Sequence, residues 1–291
     1  MSTRRHSGRF ALLVVLVCLV VGIGAVVALT RSGRGYFAGD GCTAVVNGSS
    51  AQLDPDQARY ASIIVAGSIK QKLPPRAATI ALATAFQESG MANLDSGHSD
   101  SLGLFQQRPS QGWGTTNQIM DPYYSTARFY TALAKVPDYQ NLSITDAAQR
   151  VQRSAYGDAY AKHEARSRIL ASAMTGQTPA AFTCTVAHAK PTWTPGQVIT
   201  NAASSFGKRV KIAAAPSGVV VTVPATQGAS AAREQVRWAV AQWAVANAAQ
   251  APITSVATNG QLWSRTKAAD GWQAETGQRA AGSVTIELSV S

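Results

Sequence analysis

Charged residues are scarce, at 14% of 291 residues, and acids are scarcer than bases, 15 against 26. With 46% hydrophobic residues, that scarcity excludes a wholly disordered chain and leaves room for packed cores plus one membrane segment. Histidine is thin as well. His6, His98, His163 and His188 share no ligand spacing with one another or with cysteine, so neither a metal site nor a cofactor is expected. There is no basic helix and no alternation of aromatic with basic residues, so the net charge of +11 is not read as a nucleic-acid interface. It suits work against anionic polymers, such as a cell wall or an acidic membrane surface.

The positive charge is concentrated at the start. The first 35 residues hold Arg4, Arg5, Arg9, Arg31 and Arg34 and no acid. Between them, Phe10 to Leu29 runs twenty residues without a charge, long enough to span a bilayer as a helix. The arginines before it favour a cytoplasmic segment at 1–9, an anchor at 10–29 and a body outside the membrane. The alternative is a signal segment cleaved near Val26-Val27-Ala28, with a secreted body, although the apolar core of a signal is usually shorter, about 7–15 residues. A single segment of this kind does not make a transporter. Of the three cysteines, Cys18 lies inside the apolar run, after a Val17 that is not the small residue of a lipoprotein signal. Cys42 and Cys184 remain. In an exported protein such a pair reads as a disulfide, with two unrelated thiols as the alternative.

Residues 30–52 are rich in Gly and Ser and read as a juxtamembrane linker. From 53 to 176 the pattern is helical. Asp54-Pro55 opens a helix to about Lys72, Leu73-Pro74-Pro75 breaks it, and a second helix ends near Gly90. Asp121-Pro122 opens another through about Ala134. Thr145 or Asp146 caps one over Ala147–Tyr156, and Asp158 caps a last one that stops at Gly176. Residues 177–200, with Pro179, Pro191, Pro195 and Gly196, read as a second linker. Beyond it, Lys208–Ala213, Gly218–Val223 and Ser283–Val290 look like strands, Ala231–Ala249 like a helix, and Asn259-Gly260 like a hairpin turn. The fold class expected is therefore α+β: a mainly helical domain, then a small two-layer α+β domain at 201–291 with a structural or binding role.

The most informative residue is Glu88. Arg76–Gln87 is almost uniformly small or apolar, and Gly90 is a helix stop. Counting back from Glu88 at helical spacing gives Ala85, Thr84, Ala81 and Ala77, the inward face. A carboxyl there lies on an apolar stripe at the negative end of the helix dipole, and both effects favour its protonated form. That is what a general acid needs at neutral pH. The plainer reading is a Glu that reaches solvent from a frayed last turn.

Glu88-Ser89-Gly90, a polar loop, and then Ser101-Leu102-Gly103-Leu104-Phe105-Gln106 resemble the core signature of lysozyme-like lytic transglycosylases and goose-type lysozymes. Ser154-Ala155-Tyr156-Gly157, with Tyr160 after it, stands where that family has an Ala-Tyr-Asn-Ala-Gly block, and the Asn is missing. The resemblance spans roughly Leu53 to Gly176. The longer run Ser101 to Thr115 looks like a group of actinobacterial secreted or membrane-anchored proteins.

The resemblance implies a helical lysozyme-like domain with Glu88 as catalytic acid and then base. Its substrate would be peptidoglycan glycan strands, cleaved at the MurNAc-GlcNAc β-1,4 bond with a 1,6-anhydro product. A hydrolase would need a second carboxylate about 5–10 Å away, and Asp100 is the candidate assisting acid; a turn role is its other reading. Ser101, Gln106, Gln107, Trp113 and Tyr156 are the candidate substrate-binding residues. Tyr123 offers a further flat face, and core packing is the alternative for any one aromatic. Arg108 either faces solvent or holds a carboxylate of the muramic acid or its peptide. The competing functions are a non-catalytic lysozyme-like protein that binds cell wall and an assembly protein of a secretion apparatus.

Overall fold

The computed structural model describes residues 39–152, 158–275 and 282–289. The expected membrane or signal segment at 10–29, with Cys18, and the candidate Tyr156 lie outside the described residues. Among the described residues no helix is long and apolar enough to cross a membrane. The fold is mixed α+β, with two antiparallel sheets and a set of helices between and around them.

The chain opens on a hairpin, β1 (Gly41–Val46) and β2 (Ser49–Leu53), turned by Asn47 and Gly48, both at positive φ. Two such residues between strands form the tight turn whose twist matches a hairpin. Much of the stretch expected to be linker is therefore sheet. On the other side of β1 lies β3 (Phe182–Thr185), which places Cys42 directly opposite Cys184, and the two form the disulfide. Residues 177–200, the second expected linker, thus contribute a strand and the start of a helix.

Helix α1 (Pro55–Lys70) starts on a reciprocal cap in which Asp54 and Gln57 satisfy each other's backbone N–H. Helix α2 (Pro75–Ser89) follows the Pro74-Pro75 break and ends at Gly90, which is left-handed at φ 64°. Next come α3 (Thr116–Met120), α4 (Pro122–Leu133, capped by Asp121), α5 (Ile144–Gln152) and α6 (Glu164–Met174). Helix α5 begins earlier than expected, because Ser143 rather than Thr145 or Asp146 accepts from the Asp146 N–H. A short 3-10 segment, Asp158–His163, leads straight into α6.

The remaining chain forms α7 (Pro195–Phe206), β4 (Lys211–Ala215), β5 (Gly218–Thr222), α8 (Ser230–Ala246), β6 (Ile253–Thr258), β7 (Gln261–Ser264), β8 (Gln273–Ala274) and β9 (Ser283–Leu288). Its sheet runs β4-β5-β9-β6-β7-β8, so the last strand is central. Helix α8 packs on this sheet and also on α1, and one continuous apolar core runs from Cys42 to Leu288. Buried polar bonds cross the same seam: Asn247 Nδ2 donates to Ser62 Oγ (3.0 Å), and Gln242 Nε2 to the Ala173 carbonyl (2.6 Å). Gly176 completes it. With φ +78°, it lies so close to α8 that a Cβ would sit 2.0 Å from the Gln235 carbonyl oxygen.

The disulfide closes a loop of 142 residues. On the chain-entropy argument such a loop restrains the unfolded state by about 5 kcal/mol. The Cys42→Ser substitution should therefore lower the urea midpoint sharply and, by releasing the unfolded chain, raise the unfolding slope; an unaltered midpoint would remove the tie between β1 and β3 from this account.

Candidate active site

Helix α2 runs through the core. Every residue from Ala77 to Phe86 is buried, which explains a composition of small and apolar side chains with no polar face. Its two threonines return their hydroxyls to the helix, Thr79 to the Pro75 carbonyl and Thr84 to that of Ile80. Glu88 follows in the last turn and is half-buried. One of its oxygens, Oε1, accepts from the Tyr160 hydroxyl at 2.5 Å, and Tyr160 is itself buried in the 3-10 segment. The other oxygen, Oε2, has no hydrogen-bond partner among the described residues. The same segment and the start of α6 cover the neighbouring turn of α2: His163 stacks on Phe86, and the Arg166 guanidinium lies 3.7 Å from the Phe86 ring centre. Burial, then the charges of Lys162 and Arg166, push His163 below its ordinary pKa, so it is neutral at neutral pH.

The second motif is fastened to the end of this helix. Ser89 Oγ lies 2.8 Å from the Leu104 carbonyl and 3.0 Å from that of Ala85, with one hydroxyl proton to share between them. The turn itself is closed by Leu102 and Gln107, whose backbones bond each other in both directions. Gly103 sits in it at φ +75°, and a Cβ there would come within 3.0 Å of the Ile119 carbonyl oxygen. Leu104 and Phe105 are fully buried, with Phe105 stacked on Phe129 at 4.6 Å. From the other side Gln152 Nε2 donates to the Phe105 carbonyl (2.6 Å). Glu88, Ser89, the 102–107 turn, Gln152 and Tyr160 thus belong to one hydrogen-bonded assembly.

The other sequence candidates divide. Gln107 is 1% exposed and donates to the Ser125 carbonyl, so it ties the turn to α4 and has no access to a ligand. Ser101 is buried too, at 7%. Gln106, at φ +47°, folds its amide back to the Gly103 carbonyl and over Gly97, which makes it part of the turn. Tyr123 bonds Asn201 on α7 through its hydroxyl, and burial pushes its pKa up. Trp113 is half-buried on the wall of a separate cavity formed with α4 and α5.

Asp100 is fully engaged. One oxygen accepts from Arg108 Nε (2.7 Å) and Ser110 Oγ (3.0 Å), the other from the Ser110 backbone N–H (2.8 Å). Arg108 therefore pairs with this carboxylate, where the sequence left it facing solvent or a ligand. The Arg108 bond first, then those from Ser110, hold the Asp100 carboxyl well below the usual carboxylate range. It is an ionised anchor for the loop.

Sequence reasoning did not assign the role of Tyr160. Its only signal was its place after the Ser154–Gly157 block, because its contact with Glu88 spans 72 residues. Nothing local announced Gln152 or His163. Among the described residues no group of His, Cys, Asp and Glu is placed to hold a metal ion. No protein-family model matches the chain, and no curated protein matches it either.

Asp100 supplies a pH test. Its depressed pKa stabilises the folded loop above 3.8, the ordinary value, and that contribution falls away as pH drops below 3.8 toward the folded pKa. Followed by NMR, the Asp100 carboxyl and the Ser110 amide should titrate together, well below free aspartate. A midpoint at the ordinary value would mean that the Arg108 clasp does not form in solution.

Proposed function

We propose that this protein is an extracytoplasmic peptidoglycan-cleaving enzyme with a lysozyme-like helical domain, and that it acts as a lytic transglycosylase on the MurNAc-GlcNAc β-1,4 bond. The observation that carries the reading is Glu88 at the end of a buried helix. Its Oε1 is held by Tyr160, and its neighbour Ser89 grips the Gly103-Leu104-Phe105-Gln106 turn. The family resemblance supplies the substrate.

In this scheme Glu88 offers its proton from Oε2, the oxygen that Tyr160 leaves unengaged. The proton passes to the glycosidic oxygen as the bond to C1 of MurNAc breaks and an oxocarbenium-like centre develops. The carboxylate so formed accepts a hydrogen bond from Tyr160 at Oε1, which orients it and stabilises its charge. It then takes the proton of the MurNAc 6-hydroxyl, whose oxygen closes on C1 to give the 1,6-anhydro ring. Proton and bond count balance, and one carboxylate suffices. Asp100 favours this scheme over hydrolysis, because its oxygens are taken up by Arg108 and Ser110.

The proposal extends to place. The disulfide belongs to an oxidising compartment. Residues 10–29 would anchor the chain in the cytoplasmic membrane with the body outside, where the wall polymer is.

The full-length chain incubated with purified peptidoglycan should release anhydro-muropeptides detectable by mass spectrometry. Glu88→Gln should reduce the rate by about 10²–10⁴-fold, as for the loss of a general acid–base group. Tyr160→Phe should reduce kcat by about tenfold, the value of one hydrogen bond to a charge. Reducing-end products would mean hydrolysis, and products from Glu88→Gln at the unmodified rate would exclude this residue.

A further inference from the structure

Beside the assembly around Glu88 lies an open cavity of about 340 Å³, set between residues 111–113 and helices α4 and α5. Trp113 forms one wall and Val136 and Val151 form the apolar floor. Arg128, Lys135 and Arg150 stand at its rim, all exposed, and no carboxylate lines it. Arg128 donates one N–H to the Gly112 carbonyl (3.2 Å), which fixes its guanidinium against the loop and leaves its other donors. Neither Lys135 nor Arg150 has a hydrogen-bond or ion-pair partner among the described residues.

Acids do occur nearby in the chain, but they are turned elsewhere. Asp138 accepts from Asn141, and Asp146, one turn before Arg150 on α5, accepts from Ser143. An ordinary solvated face intersperses the two signs of charge. Three like charges around one concavity instead create a positive field that draws in anions.

We infer that this cavity binds an acidic peptide carrying at least two carboxylates. Guanidinium groups from two different helices, Arg128 on α4 and Arg150 on α5, suit separate carboxylates, each held through paired N–H donors. The apolar floor and the indole wall suit the carbon skeleton between them, which a compact inorganic anion would leave uncovered. The cavity is also built from the same helix as the Glu88 assembly: Arg150 and Val151 directly precede Gln152, which holds the Phe105 carbonyl. The inference rests on the wall-polymer reading only for the source of the peptide, the acidic peptides borne by the glycan.

The test is fluorescence anisotropy with the full-length chain and a fluorescein-labelled Ala-Glu-Ala-Glu peptide. Competitors are the unlabelled peptide, its Ala-Gln-Ala-Gln counterpart and inorganic phosphate. Binding should saturate and be displaced by the acidic peptide but not by its amide counterpart. The double variant Lys135→Gln/Arg150→Gln should lose about tenfold or more in affinity, while Lys211→Gln on the exposed strand β4 should not. All three positions are exposed, so folding is not at stake. Absence of saturable binding, or equal affinity in the double variant, overturns the inference, as does displacement by phosphate at lower concentration than by the peptide. Glu88→Gln separates the two claims, since it should bind the peptide fully. Peptide binding without wall cleavage by the unmodified chain sinks the enzyme reading alone, and cleavage without peptide binding sinks only the cavity.

Discussion

The hydrogen bond from Tyr160 to Glu88 is the contact on which the rest depends. A carboxyl at the end of a helix buried on every side needs a donor, and a buried hydroxyl at 2.5 Å supplies it. Neither partner is free to drift. Helix α2 cannot turn without disrupting the packing on all sides of Ala77–Phe86, and Gly90 ends it one residue after Ser89. Tyr160 sits in a segment that continues directly into α6, which packs on α2 and on β1. Strand β1 is in turn covalently joined to β3. The disulfide, the first sheet, α6 and Tyr160 form a chain of constraints that ends at one carboxyl oxygen.

The C-terminal segment belongs to the same construction. Helix α8 lies on the six-stranded sheet and against α1, and Asn247 and Gln242 send buried hydrogen bonds into the helices of the first segment. Arg265 adds a guanidinium that donates to the carbonyls of Ile253, Val186, Ala248 and Ala251, gathering the ends of both sheets. The two carboxylates singled out by the sequence are thereby separated in chemistry. Asp100 has a charged donor on one oxygen and a backbone donor on the other, whereas Glu88 has one neutral donor on one oxygen. The first is fixed as an anion, and the second keeps one oxygen without a hydrogen-bond partner among the described residues.

Local signals account for what the sequence revealed. The starts of α1 and α4 were legible because Asp-Pro pairs cap and preset a helix, and the end of α2 because Gly90 tolerates the left-handed turn. The hairpin at Asn259-Gly260 was read from its turn residues and its strand-like flanks. Asn47-Gly48 carries the same signal between β1 and β2, but its flanks sit in a Gly- and Ser-rich stretch that masks the strands. The placement of β9 at the centre of its sheet was not legible, because pairing with both β5 and β6 is a long-range choice. For the same reason Glu88 could be named from its helix while its partner Tyr160, and the true partner of Asp100, needed the fold.

The most direct measurement is a crystal structure of the Glu88→Gln variant soaked with a glycan fragment of alternating GlcNAc and MurNAc. The account predicts a glycosidic oxygen within about 3 Å of the residue-88 side chain, on the side away from the Tyr160 hydroxyl. A glycan bound elsewhere, with the end of α2 covered by protein, would contradict it.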